Sequence, residues 1–166
     1  MERMFLNRSV SVDRFLATMI LGVAPIASGA VSTEIPKNPY FMHCYSSAAQ
    51  YHGVNEVVLR AIAIRESTEN PNAVNINSNG SRDVGVMQIN SINMEELGIY
   101  GINEKHLWDP CNNIYVGAWI LRKHIDHSGN TWKAVGRYKS KTPSIRDEYA
   151  KEIESIVNVL TGTKQP

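Results

Sequence analysis

The stretch "NEVVLRAIAIRES", residues 55–67, is the most clearly helical part of the sequence, and it ends in a carboxylate. Asn55 is a residue type that caps helix N-termini. Val58, Ile62 and Glu66 recur at four-residue steps, which places them on one face of a helix. The pattern therefore predicts a helix whose apolar face carries Glu66 at its C-terminal end.

Glu66 is the main candidate for chemistry. An apolar setting disfavours the charged form of a carboxyl group. A glutamic acid that keeps its proton can donate it to a leaving oxygen. The alternative is a structural role at the helix end, in which Glu66 pairs with an arginine such as Arg65 or Arg82. The pattern alone gives these two interpretations about equal weight.

The segment that follows, residues 73–90 ("AVNINSNGSRDVGVMQIN"), predicts a β-hairpin. Two β-prone runs flank Asn79-Gly80, which is a strong turn signal. If no bulge intervenes, strand alternation puts Asp83 on one face together with every second residue after it, namely Gly85, Met87 and Ile89. The hairpin would thus carry Asp83 on its second strand.

Three further polar side chains could serve a saccharide site. A helix-borne Glu and a strand-borne Asp such as Asp83 can flank a sugar bond, although an ordinary aspartate near a turn is the simpler reading. The amides of Gln88 and Asn90 can bind sugar hydroxyl and N-acetyl groups, or they can pair with neighbouring backbone. Tyr138 ends a short helix, where its phenol could tune the proton of Glu66 or be structural.

The remaining pattern is helical, which predicts a mainly helical α+β domain around one small hairpin. Further helices are expected from residues 44, 91, 110 and 131 onward and over 144–161. Asp109 and Pro110 mark the start of one of them. Residues 31–43 read as an irregular lead-in, and residues 44–162 as the folded domain.

The composition is that of a soluble globular protein, with 43% hydrophobic and 20% charged residues among 166. The net charge of +1 indicates no nucleic-acid partner. Residues 1–30 combine a basic start, an apolar run and small residues before Ala30, which predicts a cleaved signal peptide. The alternative is an uncleaved membrane anchor. Export favours a disulfide between Cys44 and Cys111 over two free thiols.

No pattern calls for a metal or an organic cofactor. His124 and His127 are three residues apart, and no third ligand follows at metal-binding spacing. The sequence also lacks a glycine-rich phosphate loop and a nucleophile elbow. A local basic patch is read as a solvated face rather than as a contact for an acidic polymer, and it comprises Arg137, Lys139, Lys141 and Arg146.

Four ordered motifs together resemble the lytic transglycosylases of the soluble-transglycosylase type. They are "AIAIRESTENPNAVN", "DVGVMQIN", "LWDPCNNIYVGAWIL" and "AVGRYKS", and they span roughly residues 44 to 142. The chain is most similar to the small exported members that accompany type III and type IV secretion, conjugation and pilus systems. The resemblance implies a lysozyme-like fold and cleavage of the β-1,4 bond between N-acetylmuramic acid and N-acetylglucosamine. It also implies a periplasmic monomer without cofactors.

The resemblance assigns roles residue by residue. Glu66 matches the catalytic acid and base. The positions that match substrate-cleft residues or residues beside the catalytic group are Ser67, Met87, Gln88 and Tyr138. Asn113, Ile114 and Gly117 match a supporting helix.

Two departures from the family pattern are visible. Lys139 stands where the family often has asparagine, and Asp83 has no counterpart in typical transglycosylases. The strand around Asp83 resembles that of animal-type lysozymes. A hydrolase using both carboxylates is therefore one alternative, and a non-catalytic assembly factor that grips glycan strands is another.

Overall fold

The computed structural model describes residues 38–163, and it confirms the α+β, mainly helical class. The predicted signal peptide and residues 31–37 of the lead-in lie outside this range. The helices are α1 (Pro39–His52), α2 (Glu56–Ser67), α3 (Met94–Ile99), α4 (Pro110–Ser128), α5 (Trp132–Arg137) and α6 (Pro143–Thr161). The strands are β1 (Val74–Ile76), β2 (Arg82–Val84) and β3 (Ile89–Asn90). Two short 3-10 helices span Ser91–Asn93 and Glu104–Trp108.

Helix α2 lies in the centre and packs against α1, α4 and α6. Its start is as predicted, because the Asn55 side chain accepts a hydrogen bond of 3.0 Å from the Val58 N–H. Leu59 and Ile62 are fully buried. Burial of this apolar face, rather than helix propensity, is what holds such a short helix in place.

Helix α1 begins earlier than predicted. It starts at Pro39 instead of Cys44, because Asn38 caps it by accepting a hydrogen bond from the Tyr40 N–H. Proline at the first helical position suits this geometry, since the missing N–H is not needed there. Part of the segment read as an irregular lead-in is therefore the first turn of a helix.

The predicted hairpin is confirmed, and a third strand extends it into an antiparallel sheet of order β1-β2-β3. The simple alternation expected after Asp83 is wrong. Strand β2 ends at Val84, and residues 85–88 form a turn in which Gly85 and Gln88 adopt positive φ angles of 77° and 49°. The turn changes the direction of the chain, so Met87 and Ile89 do not continue the face of Asp83.

A single buried carboxamide fixes this turn against α4. The Asn113 side chain is fully buried, and its Oδ1 accepts a hydrogen bond of 2.7 Å from the Met87 N–H. Its Nδ2 donates to the carbonyls of Val84 at 2.9 Å and Leu107 at 3.0 Å. A Cβ on Gly85 would approach Asn113 Nδ2 to within 2.3 Å, so only glycine fits there.

The predicted disulfide joins Cys44 in α1 to Cys111 in the first turn of α4. It closes a separation of 67 residues, for which restriction of the unfolded chain contributes roughly 4 kcal/mol. Within residues 38–163, the helices are too short or too polar to cross a lipid bilayer.

Replacing Asn113 by leucine tests the role of the carboxamide. The substitution keeps the branched shape of the side chain but removes all three hydrogen bonds to buried backbone groups, so the free energy of unfolding should fall by roughly 3 kcal/mol or more. Urea denaturation measures this. The matched control is Asn112→Leu on the exposed side of the same helix turn, which should change stability by about 0.5 kcal/mol or less. Equal losses in both variants would show that the carboxamide is not a special constraint.

Candidate active site

An open cleft of about 840 Å³ runs between the sheet and the helices α4 and α5. Glu66 lies in it, at the C-terminal end of α2. The sheet side supplies amide, hydroxyl and carboxylate groups from Asn77, Ser78, Asn79, Ser81, Asp83, Gln88, Asn90 and Asn93. The helix side supplies Ile120, Tyr138 and a set of basic residues. The cleft therefore brings together five of the predicted site residues: Glu66, Asp83, Gln88, Asn90 and Tyr138.

Glu66 is almost buried, with 9% of its side chain exposed. Its Oε1 accepts a hydrogen bond of 2.6 Å from the Tyr149 hydroxyl. Its Oε2 lies 3.6 Å from the Lys139 Nζ, which is an ion pair without a close hydrogen bond. One carboxylate oxygen is thus held by a phenol, while the other lies near the ammonium group of an exposed lysine.

The alternative pairing of Glu66 with an arginine is wrong. Arg65 instead binds Glu152 on α6, with 2.6 Å between Nε and Oε2. Arg82 binds Glu104, with 2.7 Å between Nη2 and Oε2. Both arginines bind these other carboxylates, and the ion-pair partner of Glu66 is Lys139 instead.

Tyr149 is the partner of Glu66 that the sequence did not reveal. It lies on α6, 83 residues from Glu66, in a row of buried residues with Ile153 and Val157. In the sequence this row reads as the apolar face of an amphipathic helix. The packing of α6 on α2 is what brings the phenol to the carboxylate.

Tyr138 lines the cleft but does not hydrogen-bond to Glu66. Its hydroxyl donates to the Met87 carbonyl at 3.0 Å, so it ties α5 to the turn before β3. Burial, and then the negative charge of Glu66, raise the pKa of both Tyr138 and Tyr149 well above the usual value. Both phenols therefore keep their protons near neutral pH and act as hydrogen-bond donors.

Asp83 is enclosed by amides. Asn75, Asp83 and Asn90 are directly opposite one another across the three strands, so their side chains share one face. Asn90 donates to Oδ1 at 2.6 Å, while Asn75 and Asn77 donate to Oδ2 at 3.1 and 3.0 Å. The carboxylate is thus held by three amide donors, and it fixes the orientation of all three amides.

Three predicted substrate-binding residues make mostly internal contacts. The Gln88 Nε2 donates to the carbonyls of Gly85 at 2.9 Å and Ala73 at 3.2 Å, although the residue does line the cleft. The Ser67 hydroxyl donates to the Val86 carbonyl at 2.7 Å. Met87 is fully buried and packs closely on Gly117. Ser67 and Met87 thus lie beneath the cleft, where they hold the turn that shapes it.

The helix side of the cleft is positively charged. His124 lies among these basic groups, and burial lowers its pKa to about 4, with further contributions from Arg137, Lys123 and Lys141. The ring is therefore neutral at neutral pH. In the described part of the chain, no cluster of three or more histidine, cysteine, aspartate or glutamate side chains has the arrangement of a metal site.

Comparison with known proteins assigns the chain to a family. The transglycosylase SLT domain profile matches residues 43–155. The chain is 40% identical to invasion protein IagB of Salmonella typhimurium (strain SL1344) over 130 residues, covering 75% of this chain and 81% of that protein. It is 36% identical to protein IpgF of Shigella flexneri over 115 residues, covering 68% and 76% of the two chains.

A third relative is the X polypeptide of Escherichia coli, which is 37% identical over 128 residues, covering 73% of this chain and 76% of that protein. The matched region contains every element from α1 to most of α6, including all the cleft residues named above. The fold is accordingly lysozyme-like, and the substrate class is peptidoglycan. This protein belongs to the transglycosylase SLT family and is a lytic transglycosylase.

Proposed function

We propose that the protein cleaves the β-1,4 bond between N-acetylmuramic acid and N-acetylglucosamine and leaves 1,6-anhydro ends, with Glu66 as the single acid and base. The observation that carries this proposal is the environment of Glu66. The side chain is 9% exposed, opens on a polar cleft and is held by the Tyr149 hydroxyl at 2.6 Å. A carboxyl group that is nearly dry and still reaches substrate is suited to moving a proton.

The first half of the reaction uses Glu66 as an acid. Because Oε1 accepts the hydrogen bond from Tyr149, the proton to be transferred belongs on Oε2, which faces the cleft. It passes to the bridging oxygen as the bond to the muramic carbon breaks. Positive charge develops on that carbon, where the acetamido group of the substrate can stabilise it.

The second half uses Glu66 as a base. The carboxylate takes the proton from the muramic 6-hydroxyl, and that oxygen attacks the anomeric carbon to close the anhydro ring. Lys139 and Tyr149 stabilise the carboxylate between the two proton transfers, since one is a cation at 3.6 Å and the other a donor at 2.6 Å. The substrate supplies the nucleophile, so one carboxyl group of the enzyme is enough.

The alternative is hydrolysis with Asp83 as a second carboxylate. Asp83 lies in the same cleft as Glu66, which favours it. Both of its oxygens are occupied by amide donors, however, and this supports a role in holding Asn75, Asn77 and Asn90 in place. We therefore assign Asp83 to positioning of the sheet side of the cleft.

We also propose that the protein is exported by residues 1–30 and acts in the periplasm, where it opens the wall for a secretion, conjugation or pilus apparatus. The disulfide supports an oxidising compartment. One relative is named an invasion protein, which supports a connection with such machinery. The alternative of a non-catalytic assembly factor that only grips glycan strands is disfavoured by the match to the transglycosylase SLT domain.

The variant Glu66→Gln keeps the size of the side chain and removes the exchangeable proton. Release of muropeptides from purified sacculi should fall at least about 10² to 10⁴-fold. Glu95→Gln, on the exposed side of α3, is the matched control and should stay fully active. Undiminished release by Glu66→Gln would remove Glu66 from the reaction.

The products of the wild-type protein and of Asp83→Asn distinguish the two reactions. Mass spectrometry should find anhydro ends with both proteins. The variant should be less stable by about 1.5 to 3 kcal/mol, because three amide donors lose a charged acceptor. Reducing ends from the wild-type protein that disappear in Asp83→Asn would instead establish a hydrolase.

The variant Tyr149→Phe removes the hydrogen bond to Glu66 and leaves the packing of α6 intact. Without this donor the carboxylate is less stabilised and less well oriented, so kcat should fall roughly tenfold or more while KM changes little. Tyr100→Phe is the control, since Tyr100 is 65% exposed and lies outside the cleft. A change confined to KM would place Tyr149 in substrate binding instead.

A further inference from the structure

The basic residues of the cleft come from two neighbouring elements. Helix α4 contributes three of them, and α5 with the loop that follows it contributes the others. We name this set the basic wall, and it consists of Lys123, His124, His127, Arg137, Lys139 and Lys141. The His124 ring is neutral, so the positive charge of the wall comes from its lysine and arginine side chains. The whole chain has a net charge of only +1, which makes this concentration of positive charge local.

Two members of the basic wall have no partner for their charge. Within residues 38–163, Arg137 and Lys141 take part in none of the ion pairs between basic and acidic side chains. The Arg137 Nε is also buried without a hydrogen-bond partner. A buried donor of a charged group that lacks an acceptor is costly, which is a reason to expect an acceptor to arrive with a ligand.

The other members differ in how far they are already engaged. Lys123 binds Glu96, and Lys139 lies beside Glu66. The carboxylates of the cleft are likewise engaged, since both oxygens of Asp83 accept amide hydrogen bonds. The charge left over in the cleft is therefore positive and is centred on Arg137 and Lys141.

The substrate supplies a matching anion at only one kind of position. The sugar rings and acetamido groups of a peptidoglycan strand are neutral, and they suit the amides and hydroxyls on the sheet side. Carboxylates occur only on the lactyl substituent of the muramic unit, either within the peptide stem attached to it or on the bare lactyl group. Guanidinium and ammonium groups are the usual partners of such carboxylates.

We infer that the basic wall, through Arg137 and Lys141, binds carboxylates carried on the lactyl substituent of the muramic unit and so makes the cleft selective for peptidoglycan over neutral amino-sugar polymers. This inference rests on the proposed function, because it concerns the part of the same cleft that would contact the lactyl substituent of the muramic unit. It adds a specificity subsite that Glu66 chemistry by itself does not require.

Binding is measured in a Glu66→Gln background with three soluble glycans. The first carries peptide stems, the second has been stripped by an amidase and carries free lactyl carboxylates, and the third is a neutral N-acetylglucosamine oligomer of the same length. The affinity for at least one anionic glycan should exceed that for the neutral oligomer by about tenfold, and it should weaken as salt rises to about 0.3 M. Preference for the first or the second glycan identifies the source of the carboxylate.

The double variant Arg137→Gln/Lys141→Gln should lose most of that preference. Lys133→Gln/Lys151→Gln is the matched control, since it removes the same charge from exposed lysines outside the cleft. The single variant Lys141→Gln changes an exposed residue and should give a smaller loss in the same direction if the double variant folds poorly. Equal affinity of the unmodified background for all three glycans, or an equal loss in the control, would overturn the inference.

Failure of the inference is distinguishable from failure of the proposed function. If the wild-type protein releases anhydro products while the double variant shows an unchanged preference, only the basic wall is wrong. If the wild-type protein releases nothing from sacculi, the proposed reaction itself is wrong, whichever glycans the protein binds.

Discussion

The cleft depends on one buried carboxamide, that of Asn113. It gathers three backbone groups from three segments, namely the turn before β3, the end of β2 and the 3-10 helix that precedes α4. An amide can satisfy one donor and two acceptors at once, which no apolar or charged side chain of that size can do. The turn then sets the positions of Gln88 and of the Met87 carbonyl that receives Tyr138.

Hydrogen bonds and ion pairs also engage the polar groups that surround Glu66. Ser67, next to it, is bound to Val86, and the arginines nearby are bound to other acids. The oxygens of Glu66 itself have unequal neighbours, a neutral donor on one side and a cation on the other. Both neighbours stabilise a carboxylate, so the anion that remains after proton transfer is accommodated without rearrangement of the core.

Local patterns of the sequence predict local features well. The cap at Asn55, the four-residue spacing up to Glu66 and the turn at Asn79-Gly80 each depend on residues close in the chain, and the structure has all three. The disulfide between the two cysteines is predicted from export to an oxidising compartment, and the structure contains it.

Features that depend on tertiary packing were not accessible from the sequence. Tyr149 looks like any tyrosine on an apolar helix face, and its role appears only when α6 lies on α2. The sequence did not reveal the turn at Gly85, because the alternation of side chains in "DVGVMQIN" resembles that of a single strand. Amphipathic periodicity reports burial but does not report which polar atom a buried side chain meets. Arg137, Lys139 and Lys141 were recognised as a patch, but the sequence could not show that α4 adds to it or that it borders the cleft. Because the cations occupy one flank of that groove and mainly amides and hydroxyls the other, the two flanks differ in charge. Muramic units recur at every second sugar along a strand, so their substituents repeat with that period. The inferred contact between these substituents and the cations would therefore set a bound strand in register, with a muramic carbon at the acid.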